Sequence, residues 1–210
     1  MSGSQPVPAS FPAHPTRIVL TGFMGAGKTT VGALLAERLG WDFLDSDVLV
    51  EARAAMSVAD IFARRGESAF RDLEAEVIRE ALTSGPGEPF VLALGGGALE
   101  RRTTRDSLAS LRDALVVFLE APLDTMIARC ATHEGGPVRP VLADRARLDE
   151  RWTQRLPWYR RAHLTIDTAE MTPEKIVERI LENLDTDHRR GSHEDARLPI
   201  DARRKTGAPA

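Results

Sequence analysis

An α/β fold with a parallel sheet and helices on both faces is what this sequence predicts, and three observations predict it. Short apolar runs alternate with longer segments of helical periodicity. A glycine-rich turn joins the first of those runs to the first helical segment. A later run, Val91 to Leu94, is apolar at every position, as a strand buried on both faces must be, and leads directly into three glycines.

The elements follow in order. Ile18-Val19-Leu20 is the first strand. Past the glycine-rich turn, Val31, Leu34, Leu35 and Leu39 recur at helical spacing until Gly40 stops the helix. Trp41 to Leu44 is a second extended piece, ending in Asp45-Ser46-Asp47. Ser57 and Asp60 form a capping-box variant that opens a helix through Ile61 and Phe62, which Gly66 closes. A further helix carries Phe70, Leu73, Val77 and Leu82. Val91 to Leu94, Leu115 to Leu119 and Leu164 to Ile166 supply the third, fourth and fifth strands. The segment from Cys130 to Val141, rich in glycine and proline, reads as a mobile surface loop. A last helix runs from Pro173 to Leu184, with Thr172 as its cap.

Composition bounds what such a fold is for. The chain has 210 residues, 42% of them hydrophobic and 28% charged, which suits one globular domain and excludes a wholly disordered or fibrous chain. A net charge of −3 gives no global field toward nucleic acid or an anionic membrane, so any cationic site is local. Cys130 is the sole cysteine, which excludes an intrachain disulfide and suits a reducing cytoplasm. No apolar stretch approaches the length of a membrane span. Residues 1–16 read as a disordered leader, 17–186 as the folded domain and 187–210 as a disordered polar tail. A monomer is expected.

Gly22-Phe-Met-Gly25-Ala26-Gly27-Lys28-Thr29 fits the pattern G-x-x-x-x-G-K-[ST] between a strand and a helix, the context in which that pattern cradles nucleotide phosphates. Glycines let backbone N–H groups approach phosphate oxygens that a Cβ would hold off. The helix opening at Lys28 adds the positive end of its dipole. Lys28 reaches the β- and γ-phosphates, and the Thr29 hydroxyl can coordinate Mg2+. Gly25, Ala26, Gly27, Lys28, Thr29 and Thr30 are therefore candidate nucleotide-binding residues, with ATP the expected co-substrate. Lysine is rare in this chain beside arginine, so a lysine at position 28 is informative.

The acceptor of a phosphoryl group must be read from the other strand ends. Asp45 and Asp47 lie two positions apart, so both project to one side if extended geometry persists past the strand. One carboxylate can hold a metal's water shell while the other hydrogen-bonds an acceptor hydroxyl. Arg71 has Glu74 one helical turn on, where an ion pair can fix the guanidinium. Gly95-Gly96-Gly97 after a buried strand favours close approach of a ligand to the backbone.

Taken in order and at their separations, these motifs, with Ile61-Phe62-x-x-x-Gly66-Glu67-x-x-Phe70-Arg71-x-x-Glu74, Arg139-Pro140 and Arg155-Leu-Pro157-Trp-Tyr159, resemble shikimate kinase from about Arg17 to Leu184. The resemblance implies a three-layer α/β/α P-loop kinase of the nucleoside monophosphate kinase type, with a five-stranded parallel sheet and a mobile lid near 130–145. It implies Mg2+-dependent transfer of the ATP γ-phosphoryl to the 3-hydroxyl of shikimate. By that likeness Asp47 binds the acceptor hydroxyls and takes the proton, Arg71 and Arg155 grip its carboxylate, and Gly96 offers its N–H. Thr29 ligates Mg2+, Asp45 holds it through water, Lys28 neutralises the phosphates and Arg139 arrives from the closing lid. Where family members can place an arginine against adenine, this chain has Ala169-Glu170-Met171, and Arg129 at the base of the lid is offered as a stacking face. Two other readings remain at this level: a kinase of another small polyol acid such as gluconate, and a non-catalytic sensor that kept the fold.

Overall fold

A computed structural model of the chain describes residues 11–12, 14–83, 88–132 and 144–194, with side chains to residue 185. Arg139 and the greater part of the expected lid lie outside the described residues, as do most of the leader and of the tail.

Five parallel strands form one sheet in the order β2-β3-β1-β4-β5. They are β1 (Arg17–Thr21), β2 (Asp42–Asp45), β3 (Phe90–Ala93), β4 (Ala114–Glu120) and β5 (Leu164–Asp167). The central strand β1 pairs with β3 on one side, Ile18 opposite Val91, and with β4 on the other, Ile18 opposite Leu115. Ile18, Val19 and Leu20 are each fully buried although successive side chains point to opposite faces, so helices cover both sides of the sheet. Parallel strands also place every C-terminal end along one edge, the edge at which open α/β sheets bind ligands.

Helix α1 (Lys28–Leu39) buries Val31, Leu35 and Ala36 and stops where Gly40 adopts the left-handed conformation. Helix α2 is Ser46–Ala54, and α3 spans Val58–Thr83 with a break at Gly66, whose φ of 81° and ψ of 169° are not helical. The break reproduces the two helices expected on either side of that glycine. Val50, Ile61, Phe70 and Val77 form a small core of their own between α2 and α3, with the Phe62 and Phe70 rings 4.7 Å apart. That second core fixes α3 against α2, and with it the side chains that α3 presents to the sheet edge.

The remaining elements are a single 3-10 turn (Ala98–Glu100), α4 (Arg102–Ser110), α5 (Leu123–Thr132), α6 (Arg145–Tyr159) and α7 (Pro173–Glu194). Three boundaries differ from expectation. The loop expected from Cys130 begins later, because α5 buries Leu123 and Met126 and continues helical through residue 132. At the far end Asp144 caps α6, accepting a hydrogen bond from the Arg147 N–H at 3.0 Å, so the expected lid overlaps a helix at each margin. The domain boundary at 186 falls inside α7, which continues to Glu194 through the polar sequence and through Gly191. Helix α4 had no sequence signature: only Thr104 and Leu108 of its nine residues are buried.

Candidate active site

The turn after β1 wraps into a phosphate-sized loop because its glycines accept conformations and contacts closed to other residues. Gly25 has φ of 73°, and a Cβ there would lie 2.1 Å from the Met126 carbonyl oxygen on α5. Gly27 sits in the left-handed region as the N-cap of α1 and offers no side chain to the first turn. The free N–H groups of α1 are thereby left to an anion. Lys28 donates through Nζ to the Phe23 carbonyl at 2.8 Å, which folds its side chain back along the loop.

The second strand end differs from expectation in geometry while arriving at the same place. Extended structure stops at Asp45, which caps α2: its Oδ1 accepts the Asp47 N–H at 2.9 Å. Asp47 therefore reaches the site from the first turn of a helix, not by strand alternation, since satisfying an exposed helix N–H outweighs continuing β2. The other oxygen of Asp45 accepts from the Thr29 hydroxyl at 2.8 Å. Ser46, to which the sequence reading gave no role, is fully buried, and its hydroxyl accepts the Gly95 N–H at 2.7 Å. It ties the start of α2 to the glycine triplet.

These groups line a cavity of about 380 Å³. Gly25, Ala26, Gly27, Lys28, Thr29 and Thr30 form one wall, with Asp45, Asp47, Gly95 and Gly96 beside them. Arg129, Met171, Pro173 and Ile176 form a further wall. Arg129 donates to the Thr168 carbonyl at 2.6 Å and to the Ala169 carbonyl at 3.1 Å, holding the segment after β5 in position. Met171 and Pro173 supply apolar surface to this wall. The signal for them was their place just beyond the last strand.

The guanidinium and acid groups assigned to the acceptor gather around the triplet. A Cβ on Gly95 would fall 2.2 Å from Glu74 Oε1 and 2.9 Å from Asp47 Oδ1, and one on Gly97 would fall 2.2 Å from Arg71 Nη2. Gly96 abuts the phosphate loop, its Cβ position 3.3 Å from the Met24 nitrogen. Three consecutive residues without side chains thus let Asp47, Glu74 and Arg71 close on one strand end beside the cradle. Arg71 and Arg155 are not on the cavity wall itself; they stand behind the triplet.

Arg71 is buried and donates through Nη1 to Glu74 at 2.7 Å, the ion pair that the spacing predicts. Arg155 is 3% exposed. Its Nε donates to Glu100 at 2.7 Å, and the plane lies over the Phe23 ring. The Tyr159 hydroxyl donates to the Gly96 carbonyl, and burial raises its pKa well above the usual phenol value. Glu100 and Tyr159 were missed as site residues. Tyr159 lay within a quoted motif, and Glu100 had only its position after the triplet.

Glu74 is pushed up to about 7 because burial penalises its charged form more than Arg71 favours it. One of its oxygens, Oε1, has no hydrogen-bond partner among the described residues. A folded-state value above the unfolded 4.5 means stability that is full below about 4.5 and lost as pH rises through about 7. The stability advantage of wild type over Glu74→Gln is expected to shrink between pH 5 and 8, by no more than about 3 kcal/mol. Urea unfolding of both proteins across that range measures it, and a constant difference would return Glu74 to the ordinary carboxylate range.

Comparison with known proteins agrees with this geometry. The family model for shikimate kinase matches residues 24–185. A shikimate kinase from Thermobifida fusca is 48% identical over 169 residues, covering 79% of this chain and 93% of the relative. One from Symbiobacterium thermophilum is 43% identical, covering 83% of this chain and 99% of the relative. Among solved structures, shikimate kinase from Acinetobacter baumannii in complex with shikimate superposes with a TM-score of 0.73 at 34% identity, covering 84% of this chain and 94% of that one. Loop, strand order and acceptor cluster converge with these likenesses: the chain belongs to the shikimate kinase family.

Proposed function

We propose that Asp47, Arg71 and Arg155 hold shikimate against the phosphate loop of this ATP-dependent kinase, and that Asp47 takes the proton of the reacting hydroxyl. The reaction is that of the family: the 3-hydroxyl oxygen bonds to the γ-phosphorus of ATP while the bond to the β–γ bridging oxygen breaks. Shikimate 3-phosphate and ADP leave, and the hydroxyl proton passes to the Asp47 carboxylate. The observation that carries this reading is the glycine triplet, around which Asp47, Glu74 and Arg71 meet within a few ångströms of the cradle.

Each role follows from what the side chain can offer. Phosphoryl transfer asks chiefly for positioning and charge neutralisation. Lys28 and the N–H groups of α1 are assigned to the phosphates, and Gly96, on the cavity wall, is assigned to offer its backbone N–H to the acceptor. Planar guanidiniums suit a carboxylate because two N–H groups can face its two oxygens. Burial of both arginines suits them to an anionic group, because charge-assisted contacts strengthen away from water. Arg129 and the Met171–Pro173 wall are assigned to the adenine.

Mg2+ fits the donors present. Thr29 Oγ1 and Asp45 Oδ2, hard oxygens 2.8 Å apart, stand on the wall that the phosphate loop shares with Asp47. Thr29 is assigned as ligand and Asp45 as holder of a bound water. The ion supplies positive charge to the β- and γ-phosphate oxygens. Among the described residues no cluster of three or more His, Cys, Asp or Glu could hold a metal ion, so the protein's share in holding the ion would fall to Thr29 and Asp45. Arg139 is assigned to the lid, closing over the phosphates and excluding water.

The site is assembled within one chain, which supports a monomer as the active unit. Among the described residues no helix is long and apolar enough to cross a membrane. With a single free cysteine, this supports a cytoplasmic placement. ADP release measured with Mg2+, ATP and a panel of hydroxy acids tests the reading. Turnover is expected with shikimate and not with gluconate; the reverse would reject the acceptor assignment.

A further inference from the structure

The two arginines assigned to the acceptor's carboxylate already share one. Glu100, last residue of the 3-10 turn after the triplet, places Oε1 2.6 Å from Arg155 Nη2 and 2.7 Å from its Nε, and Oε2 3.5 Å from Arg71 Nε. A carboxylate between two buried guanidiniums is the arrangement an acceptor carboxylate would itself make. We propose that Glu100 is a resident carboxylate that holds the acceptor's anion site in the free enzyme, and that the acceptor must displace it to bind.

Charge balance leads to this view. Around the site Arg71, Arg151 and Arg155 face Glu67, Glu74 and Glu100, with Arg151 3.1 Å from Glu67 and Arg71 3.5 Å from it. Asp47 stands beside Glu74 at Gly95, so even with Glu74 partly protonated near neutral pH the acids of the cluster match its bases before any substrate arrives. An incoming carboxylate adds a further negative charge to a matched set, so one resident acid has to yield. Glu74 is 1% exposed and fixed by its bond to Arg71, whereas the Glu100 side chain is 33% exposed and can turn to solvent.

The fit of Glu100 is also incomplete. Arg71 Nε and Arg155 Nη2 are buried and make no aligned hydrogen bond among the described residues, despite the nearby Glu100 oxygens. Two buried donors facing a misaligned acceptor are better satisfied by a carboxylate approaching from the cavity side. Displacement therefore exchanges a partner that leaves two donors without an aligned bond for one that can satisfy them, and the need to displace it selects for acceptors carrying a carboxylate. A neutral polyol has nothing to put in its place. Glu100 is in this sense a specificity-determining residue acting through Arg71 and Arg155.

The inference rests on the acceptor-carboxylate reading, and one experiment separates their failures. KM for shikimate, KM for ATP, kcat and competitive inhibition by acetate are measured for wild type, Glu100→Gln, Glu100→Asp and Arg71→Ala. With the resident charge removed, Glu100→Gln is expected to lower KM for shikimate about three- to tenfold and to strengthen acetate inhibition similarly, with KM for ATP unmoved. Glu100→Asp keeps the charge on a shorter arm and is expected between the two; it decides the matter if the glutamine variant does not fold. A KM for shikimate that rises or stays constant in the Glu100 variants, while Arg71→Ala raises it, overturns the resident-carboxylate proposal and makes Glu100 an anchor. A KM for shikimate unmoved by Arg71→Ala overturns the acceptor assignment beneath it.

Discussion

Asp47→Asn is expected to lower kcat by about two to three orders of magnitude, the range for losing a positioned general base, while KM for ATP changes little. The isosteric amide keeps the backbone bond from the Asp47 N–H to Asp45, so the α2 cap survives. The substitution replaces a carboxylate oxygen that can take a proton with an amide nitrogen that cannot, and removes a negative charge that bears on Glu74. Asp47 stands beside Gly95 and shares the cavity wall with Lys28 and Thr29, so its removal bears on the acceptor hydroxyl and not on the cradle. Steady-state kinetics with both substrates varied measures the split. A kcat near wild type would remove Asp47 from the proton's path.

Arg71→Ala is expected to act twice. Losing a charge-assisted contact to the acceptor, worth about 1.5 to 3 kcal/mol, raises KM for shikimate roughly ten- to a hundredfold. The same change strands Glu74, which is buried and whose carboxylate Arg71 partners at 2.7 Å. Breaking one side of a buried pair costs about 3 kcal/mol or more of folding stability. Proton uptake by Glu74 limits that cost, because its pKa already stands at about 7. The double variant Arg71→Ala, Glu74→Gln is expected to regain much of the stability and none of the acceptor affinity. Thermal unfolding and shikimate KM on wild type, Arg71→Ala, Glu74→Gln and the double variant measure both. Recovery of KM with stability would show that Arg71 serves only the fold.

Much of this was legible in the sequence, for reasons that can be traced to particular residues. Local chemistry sufficed for the cradle: the glycine pattern, Lys28 and Thr29 need only their own strand and helix to be placed. The central strands β1, β3 and β4 were legible because a strand buried on both faces announces itself by continuous apolar residues, as in Val91 to Leu94. The break at Gly66 was legible because a glycine between two helical stripes has few other uses. Asp45 and Asp47 were placed together on the condition that extension persists past the strand, a condition the structure does not meet. Strand alternation and a helix cap place residues i and i+2 differently, and sequence does not say where extension stops.

The parts that stayed hidden depend on contacts distant in sequence. Burial of Arg155 is decided by Phe23 and Glu100, more than fifty residues away in the chain, so periodicity within α6 could not reveal it. Ser46 reads as a polar spacer until its hydroxyl is seen to accept from Gly95. Glu100 follows the triplet without any motif of its own, and its position between two guanidiniums exists only once α3 and α6 are packed. Polar α4 gave no apolar stripe, because a helix that buries two of nine residues does not need one.

The most direct measurement is a crystal structure of the protein with shikimate and a non-hydrolysable ATP analogue. The shikimate carboxylate is predicted to lie against Arg71 and Arg155, with its 3-hydroxyl about 3 Å from an Asp47 oxygen and facing the γ-phosphate held by Lys28. Shikimate bound away from the glycine triplet, or with its carboxylate toward the phosphate loop, would contradict the account.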